Sequence, residues 1–131
     1  MNKMTSAVTH EIEVSVETEY QPELSHPDSG LFMFAYHIKI ENHSEYAVQL
    51  LRRHWFIYDS NGEYREVEGE GVVGEQPVLE QGQYHTYSSA CNLVTDMGKM
   101  YGSYEFVRLA DGKLFTVDIP EFKMVTPFRL N

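Results

Sequence analysis

Apolar and polar residues alternate with period two along most of the chain, the pattern of half-buried β-strands. Ile12, Val14 and Val16 fall on one side of an extended segment, and Glu11, Glu13, Ser15 and Glu17 on the other. Phe32, Phe34, Tyr36, Ile38 and Ile40 repeat the pattern over a longer stretch. Its opposite positions, Leu31, Met33, Ala35 and His37, are also largely apolar, which predicts a central strand. Between the two, Gln21 to Gly30 carries Pro22, Pro27, Asp28 and Gly30 and reads as a loop. A strand from Tyr46 to Tyr58 loses its alternation at Leu50-Leu51 and Arg52-Arg53, which predicts a bulge. Asp59-Ser60-Asn61-Gly62 is a hairpin signal, because Asn-Gly tolerates the positive φ of tight turns, and the strand returns over Tyr64 to Glu68. Further strands are expected at Val78-Leu79, Tyr84 to Ala90, Gly98 to Leu109 and Leu114 to Ile119. Gln81-Gly82 and Ala110 to Lys113 supply the turns between them. Pro120 lacks an amide proton and is expected to stop its strand, leaving Met124-Val125 as a short separate edge.

Seven or eight short strands and no amphipathic helix predict an all-β antiparallel sandwich or small barrel. The predicted core is Val14, Phe34, Tyr36, Ile38, Trp55, Phe106, Phe115 and Val117. With 131 residues, 42% hydrophobic and 13% aromatic, the chain has enough apolar mass for one domain spanning 1–131 without metals or disulfides. The lone Cys91 cannot form an internal disulfide. Met1 to Ser15 lacks the apolar stretch of a secretory signal, and no run is long enough to span a bilayer, so a cytoplasmic setting is expected. A net charge of −10 repels phosphate backbones and anionic lipid, which argues against nucleic acid or a membrane surface as partner.

Gly69-Glu70-Gly71-Val72-Val73-Gly74 has the spacing G-x-G-x-x-G. A dinucleotide cradle needs a helix to begin there, but Glu75-Gln76-Pro77 follows at once, and Glu66, Glu68, Glu70 and Glu75 would repel a polyphosphate. The structural alternative is a strand that bends at its glycines. Glu66, Glu68 and Glu70 alternate, so an extended strand aims all three carboxylates to one side. Carboxylates so placed lie roughly 6–7 Å apart, too far to converge on one ion, so only weak, salt-sensitive cation binding is expected. Six histidines, His10, His26, His37, His43, His54 and His85, show no metal-ligand spacing, although folding could join His54 to His85. Ser88, Ser89 and Cys91 lack the context of a nucleophile elbow. Tyr84, Tyr87, Tyr101 and Tyr104 build the core if they point inward and mark an interaction surface if they share an exposed face.

Arg53-His54-Trp55, then Gly69 to Leu79, resembles the ApaG family (domain of unknown function 525). Tyr87-Ser88-Ser89, Gly98 with Met100, Gly102-Ser103-Tyr104, and Phe115 to Pro120 with Phe122 continue the resemblance in order, over about Ile12 to Phe122. Gln81, Ala90 and Asp96 depart from it at turn positions where Pro-Gly, Gly and Pro are usual. The resemblance implies a fibronectin type III-like β-sandwich. It also implies a loose link to cobalt tolerance and magnesium efflux, a gene neighbour that hydrolyses diadenosine tetraphosphate, and an adaptor role for similar domains in eukaryotic proteins. It carries over no catalytic residue.

These readings favour a non-catalytic binding or adaptor module with a protein partner, without cofactor or resident metal. The alternative is a small-ligand binder taking nucleotide or pyrophosphate with a divalent cation at Gly69, Gly71 and Gly74. An enzyme would require Glu75, His54 or His85 to converge in a cleft.

Overall fold

Alternation sends every second side chain of the long strands inward. In β2 (Ile12–Tyr20), Ile12, Val14 and Val16 are buried; in β3 (Phe32–Asn42), so is every second residue from Phe32 to Asn42. The computed structural model describes residues 4–130. Met1 to Lys3, where the stretch read as lacking a secretory signal begins, lie outside the described residues, as does Asn131.

One sheet has the order β1-β2-β3-β7, with β1 at Met4–Thr9 and β7 at Tyr84–Leu93. The other has the order β5-β4-β8-β9, formed by β5 (Tyr64–Glu70), β4 (Val48–Asp59), β8 (Met97–Arg108) and β9 (Lys113–Val125). A two-residue strand, β6 (Val78–Leu79), pairs with the start of β4. All pairings are antiparallel, and the inner faces of the two sheets enclose one core, so the fold is a β-sandwich. Each fully buried side chain of the size of Phe34, Ile38 or Phe106 contributes roughly 1.5–3 kcal/mol. Of the predicted core, Val14, Phe34, Tyr36, Ile38, Trp55, Phe106 and Val117 are buried. Phe115 is half-buried and stacks on Phe106 with ring centres 5.6 Å apart.

Two features differ from the sequence reading. First, β1 is an additional strand, making nine among the described residues, and it joins β2 through a tight turn at His10-Glu11. Both turn residues adopt positive φ, 50° and 63°, a conformation usually given to Asn or Gly, so composition does not announce the turn. Second, Pro120 does not end β9. The β8–β9 register shifts between Met100 and Gly102, so that Pro120 and Glu121 together oppose Tyr101. The bulge accepts a residue without an N–H, and the strand resumes, which makes Met124 and Val125 part of β9 rather than a separate edge. The bulge expected near Leu50-Leu51 is present: Leu50 pairs with Phe106 and Arg52 with Glu105, leaving Leu51 unpaired in that ladder.

The buried Asn42 anchors the chain where β3 ends. Asn42 Nδ2 donates to the carbonyls of Tyr46 (2.8 Å) and Leu79 (3.0 Å), and its Oδ1 accepts from the Ser44 amide (2.9 Å) and hydroxyl (2.7 Å). Burial of this amide is tolerated because its donors and acceptor all find partners. Among the described residues, no helix is long and apolar enough to cross a membrane.

Candidate functional site

The glycine motif forms an excursion from a strand that otherwise runs along one edge of β4. Glu70 sits opposite Arg52 and Val78 opposite Gln49. Between them, the Gly71 amide donates to the Leu51 carbonyl (2.8 Å) and the Leu50 amide to the Pro77 carbonyl (3.1 Å). Only residues 72–76 leave the line. Val72 and Glu75 exchange backbone hydrogen bonds of 2.8 and 3.0 Å and close a two-residue turn at Val73-Gly74, where φ is 47° and 79°. No helix begins here, as the sequence predicted.

Gly69, Gly71 and Gly74 fall on one strand end and its turn; Gly71 and Gly74 have positive φ, and Gly69 leaves room for the Arg53 side chain. A Cβ on Gly69 would meet the Arg53 guanidinium at 2.8 Å. Arg53 lies across that glycine to donate through Nη1 to the carbonyls of Glu70 (2.9 Å) and Gly71 (3.0 Å). Gly71 has a φ of 62°, and a Cβ there would collide with the Glu75 carbonyl. Gln76 Nε2 donates to the Leu51 carbonyl (3.0 Å), so the bulge in β4 is also an anchor for the loop. A phosphate cradle depends on free, converging amides. The amides of Gly71, Val72 and Glu75 are instead taken up by the protein's own carbonyls.

Behind the loop, β7 turns His85, Tyr87, Ser89 and Cys91 toward the interior. The hydroxyls of Tyr87 and Tyr104 lie 2.5 Å apart, and burial pushes both well above the usual tyrosine range. Burial also raises Tyr36, opposed by its hydrogen bond with Ser89, and raises the Cys91 thiol, opposed by the neighbouring Arg65. Such groups stay neutral near pH 7, and none is tuned toward the neutral pKa that acid–base catalysis favours. His85 Nε2 faces Glu75 Oε2 at 3.6 Å, but His54 lies on the opposite face of the other sheet, so the three do not converge.

That outer face of the five-stranded sheet carries a row of aromatic rings. Phe56 stacks between His54 (4.5 Å) and Tyr101 (5.2 Å), Tyr101 continues to Tyr58 (5.9 Å), and Tyr58 to Tyr64 (5.1 Å). The ladder explains the row: Phe56 pairs with Tyr101 on β8, and Tyr58 with Tyr64 on β5. Tyr64 is 57% exposed, and the other rings are half-buried only by one another and their flanking side chains. Glu66 and Glu68, two of the three alternating carboxylates, border the row and hold His54 at 2.9 and 3.3 Å. Of the four tyrosines singled out from sequence, Tyr101 joins the row, Tyr84 is exposed beneath Lys39, and Tyr87 and Tyr104 belong to the interior. Phe56, Tyr58 and Tyr64 were missed. Their signal was present: β4 is aromatic or apolar at successive positions from Trp55 to Tyr58, so both of its faces carry rings.

The outer face of the other sheet holds two polar groupings. Glu13 and Glu41 are cross-strand partners, and His43 reaches both, at 3.0 and 3.9 Å. The imidazole sits where two like charges would otherwise face each other. Ser88 Oγ lies 2.6 Å from His37 Nδ1, a contact absent from the sequence reading. Both side chains are exposed on an open sheet face, where water is not excluded and the strand amides are engaged in the ladder rather than aimed at an oxyanion.

The ApaG domain model matches residues 22–108. The chain is similar to Protein ApaG of Anaeromyxobacter dehalogenans, with 47% identity over 98% of this chain and 100% of that one. It is also similar to Protein ApaG of Pseudomonas paraeruginosa, with 45% identity over 96% and 99%. A Bordetella pertussis protein described as ApaA superimposes with a TM-score of 0.84 at 38% identity, covering 96% of this chain and 95% of that one. The C-terminal domain of Wzt, at 10% identity and a TM-score of 0.53, shares the fold alone. The domain match, the full-length relatives and the common sandwich together place this chain in the ApaG family.

Proposed function

We propose that this ApaG-family domain is a non-catalytic binding module that docks a protein partner on the outer face of its five-stranded sheet. The row from His54 through Phe56, Tyr101 and Tyr58 to Tyr64 carries the reading. A soluble sheet face is usually clad in polar side chains, whereas aromatic side chains are enriched where proteins associate. Glu66 and Glu68 along one margin, together with a net charge of −10, favour a partner segment that presents Lys or Arg. Cationic side chains have a further point of attachment in the ring faces, as Lys99 already shows by lying 5.5 Å from the Tyr58 ring centre.

The test is quantitative pull-down with wild type and a Phe56→Ala/Tyr101→Ala variant of matched thermal stability. The expected result is a partner held by the wild type, weakened by added salt and lost by the variant. A partner held equally by both proteins would remove the row from the reading. Failure to retain any specific protein across growth conditions would remove the reading itself.

A further inference from the structure

The two sheets do not close equally on both sides. Where the edge strands β5 and β7 face each other, a cleft of about 280 Å³ opens between the layers. Its floor is the buried core surface of Tyr36, Trp55, Ile57 and Met100, with the Tyr36 and Trp55 rings 5.4 Å apart, and Val67 stands exposed at its rim. Arg53 and Arg65 both line it. Arg65, on β5, reaches across the opening to the Asn92 carbonyl on β7 and lies 3.3 Å from Cys91 Sγ. Arg53 is fixed from the other end by the glycine-loop carbonyls.

The acids of this chain outnumber its basic residues two to one, and Lys39, Lys99 and Arg108 all hold carboxylates. Among the described residues, neither Arg53 nor Arg65 has a carboxylate within ion-pair distance. Their hydrogen-bond partners are neutral carbonyls, an amide oxygen and a thiol. Arg65 is exposed at the mouth and Arg53 is half-buried, so two guanidinium groups bring positive charge to one apolar cleft with water as the competing partner of any ligand acid. A planar carboxylate matches the guanidinium fork, and an apolar body matches the walls. The volume lies just below the usual range for drug-sized ligands, enough for one ring and its acid group.

We infer that the β5–β7 cleft is a binding site for a small aromatic carboxylate, held by Arg53 and Arg65 with its ring against Val67 above the floor of Trp55 and Tyr36. This site is separate from the aromatic row, which lies on the outer face of the same sheet.

The molecule carries its own reporters, because its one tryptophan and its one cysteine both line the cleft. Phenylacetate is titrated into wild type while Trp55 fluorescence is followed, and Cys91 alkylation by iodoacetamide is timed with and without it. The expected result is a saturable millimolar response with slower alkylation. The uncharged phenylacetamide, and phenylacetate on Arg65→Gln, should each bind about tenfold or more weakly, the scale of a charge-assisted hydrogen bond. The amide arm uses wild-type protein and therefore does not depend on how a variant folds. No saturable response to phenylacetate, or equal affinity for phenylacetate and phenylacetamide, would overturn the inference.

Discussion

Strand β4 presents rings to both sides of its sheet, with different consequences. Trp55 points inward, is 2% exposed, and packs against Tyr36 and Phe122. Phe56, the next residue, points outward and touches only His54 and Tyr101 among rings. The inner ring closes a core that the sandwich cannot lack. The outer ring is not needed to exclude water from anything but its neighbours. An aromatic residue on a face that folding leaves open is therefore a stronger indication of function than one on a face that folding must bury.

Trp55→Ala provides the largest separation of the two faces. It should cost about 3–5 kcal/mol by denaturant unfolding, the range for emptying a large aromatic site. Phe56→Ala should cost about 0.5–1 kcal/mol, the scale of a cross-strand pair. Equal losses would mean that the inner and outer rings contribute alike to stability.

The glycine loop repeats the contrast on a smaller scale. Gly71 is buried at positive φ beneath the Glu75 carbonyl, whereas Gly74 has positive φ and open space around it. Gly71→Ala should cost roughly 3 kcal/mol, combining left-handed strain with a collision, and Gly74→Ala about 1 kcal/mol from strain alone. Thermal melting of the two variants checks the order. A Gly71→Ala protein as stable as wild type would refute the account of the loop.

The paired hydroxyls of Tyr87 and Tyr104 sharpen the comparison through pH. Burial raises both above the unfolded tyrosine value of about 10, so folding favours the protonated form. Their stabilising effect is present below pH about 10 and is lost as pH rises through the folded values. Tyr104→Phe leaves the Tyr87 hydroxyl without this partner and should cost about 1–2 kcal/mol at pH 7. The double Phe variant should lose less than the two single changes combined, and should resist alkaline unfolding better than wild type. Urea unfolding from pH 8 upward measures both effects. A strictly additive cycle would mean that the hydroxyls are not coupled.

The smallest expected effect lies at the β1–β2 turn. His10 and Glu11 occupy positive φ without being glycine. Glu11→Gly should raise stability by about 0.5–1 kcal/mol, the relieved left-handed strain less the greater freedom that glycine gives the unfolded chain. A loss in melting temperature would show that Glu11 makes a contact worth more than its strain.

Turn chemistry accounts for which parts of the fold were legible. Asn61-Gly62, Gln81-Gly82 and Asp111-Gly112 mark their turns because glycine adopts positive φ freely, and all three glycines do so here. β1 escaped because a His-Glu turn carries no such mark and its own residues, Met4 to Thr9, are mostly small and polar. Pro120 misled for a related reason. Proline reads as a stop in sequence, yet a bulge offers it a position that needs no amide proton.

The sequence by itself determined the all-β class, most strands and their inward faces, the bend at the glycines and the absence of a helix there. Each of these follows from local periodicity or from the φ that one residue can adopt. Only the tertiary structure decided which polar and aromatic residues meet. His54 was drawn to Glu66 and Glu68 because β5 pairs with β4 in that register. Tyr87 met Tyr104 because two sheets face each other across the core. Arg65 reached Asn92 because β5 and β7 both ended up as edges on the same side. Such meetings depend on strand order and register between distant segments, and alternation specifies which side a residue faces without specifying what it will face.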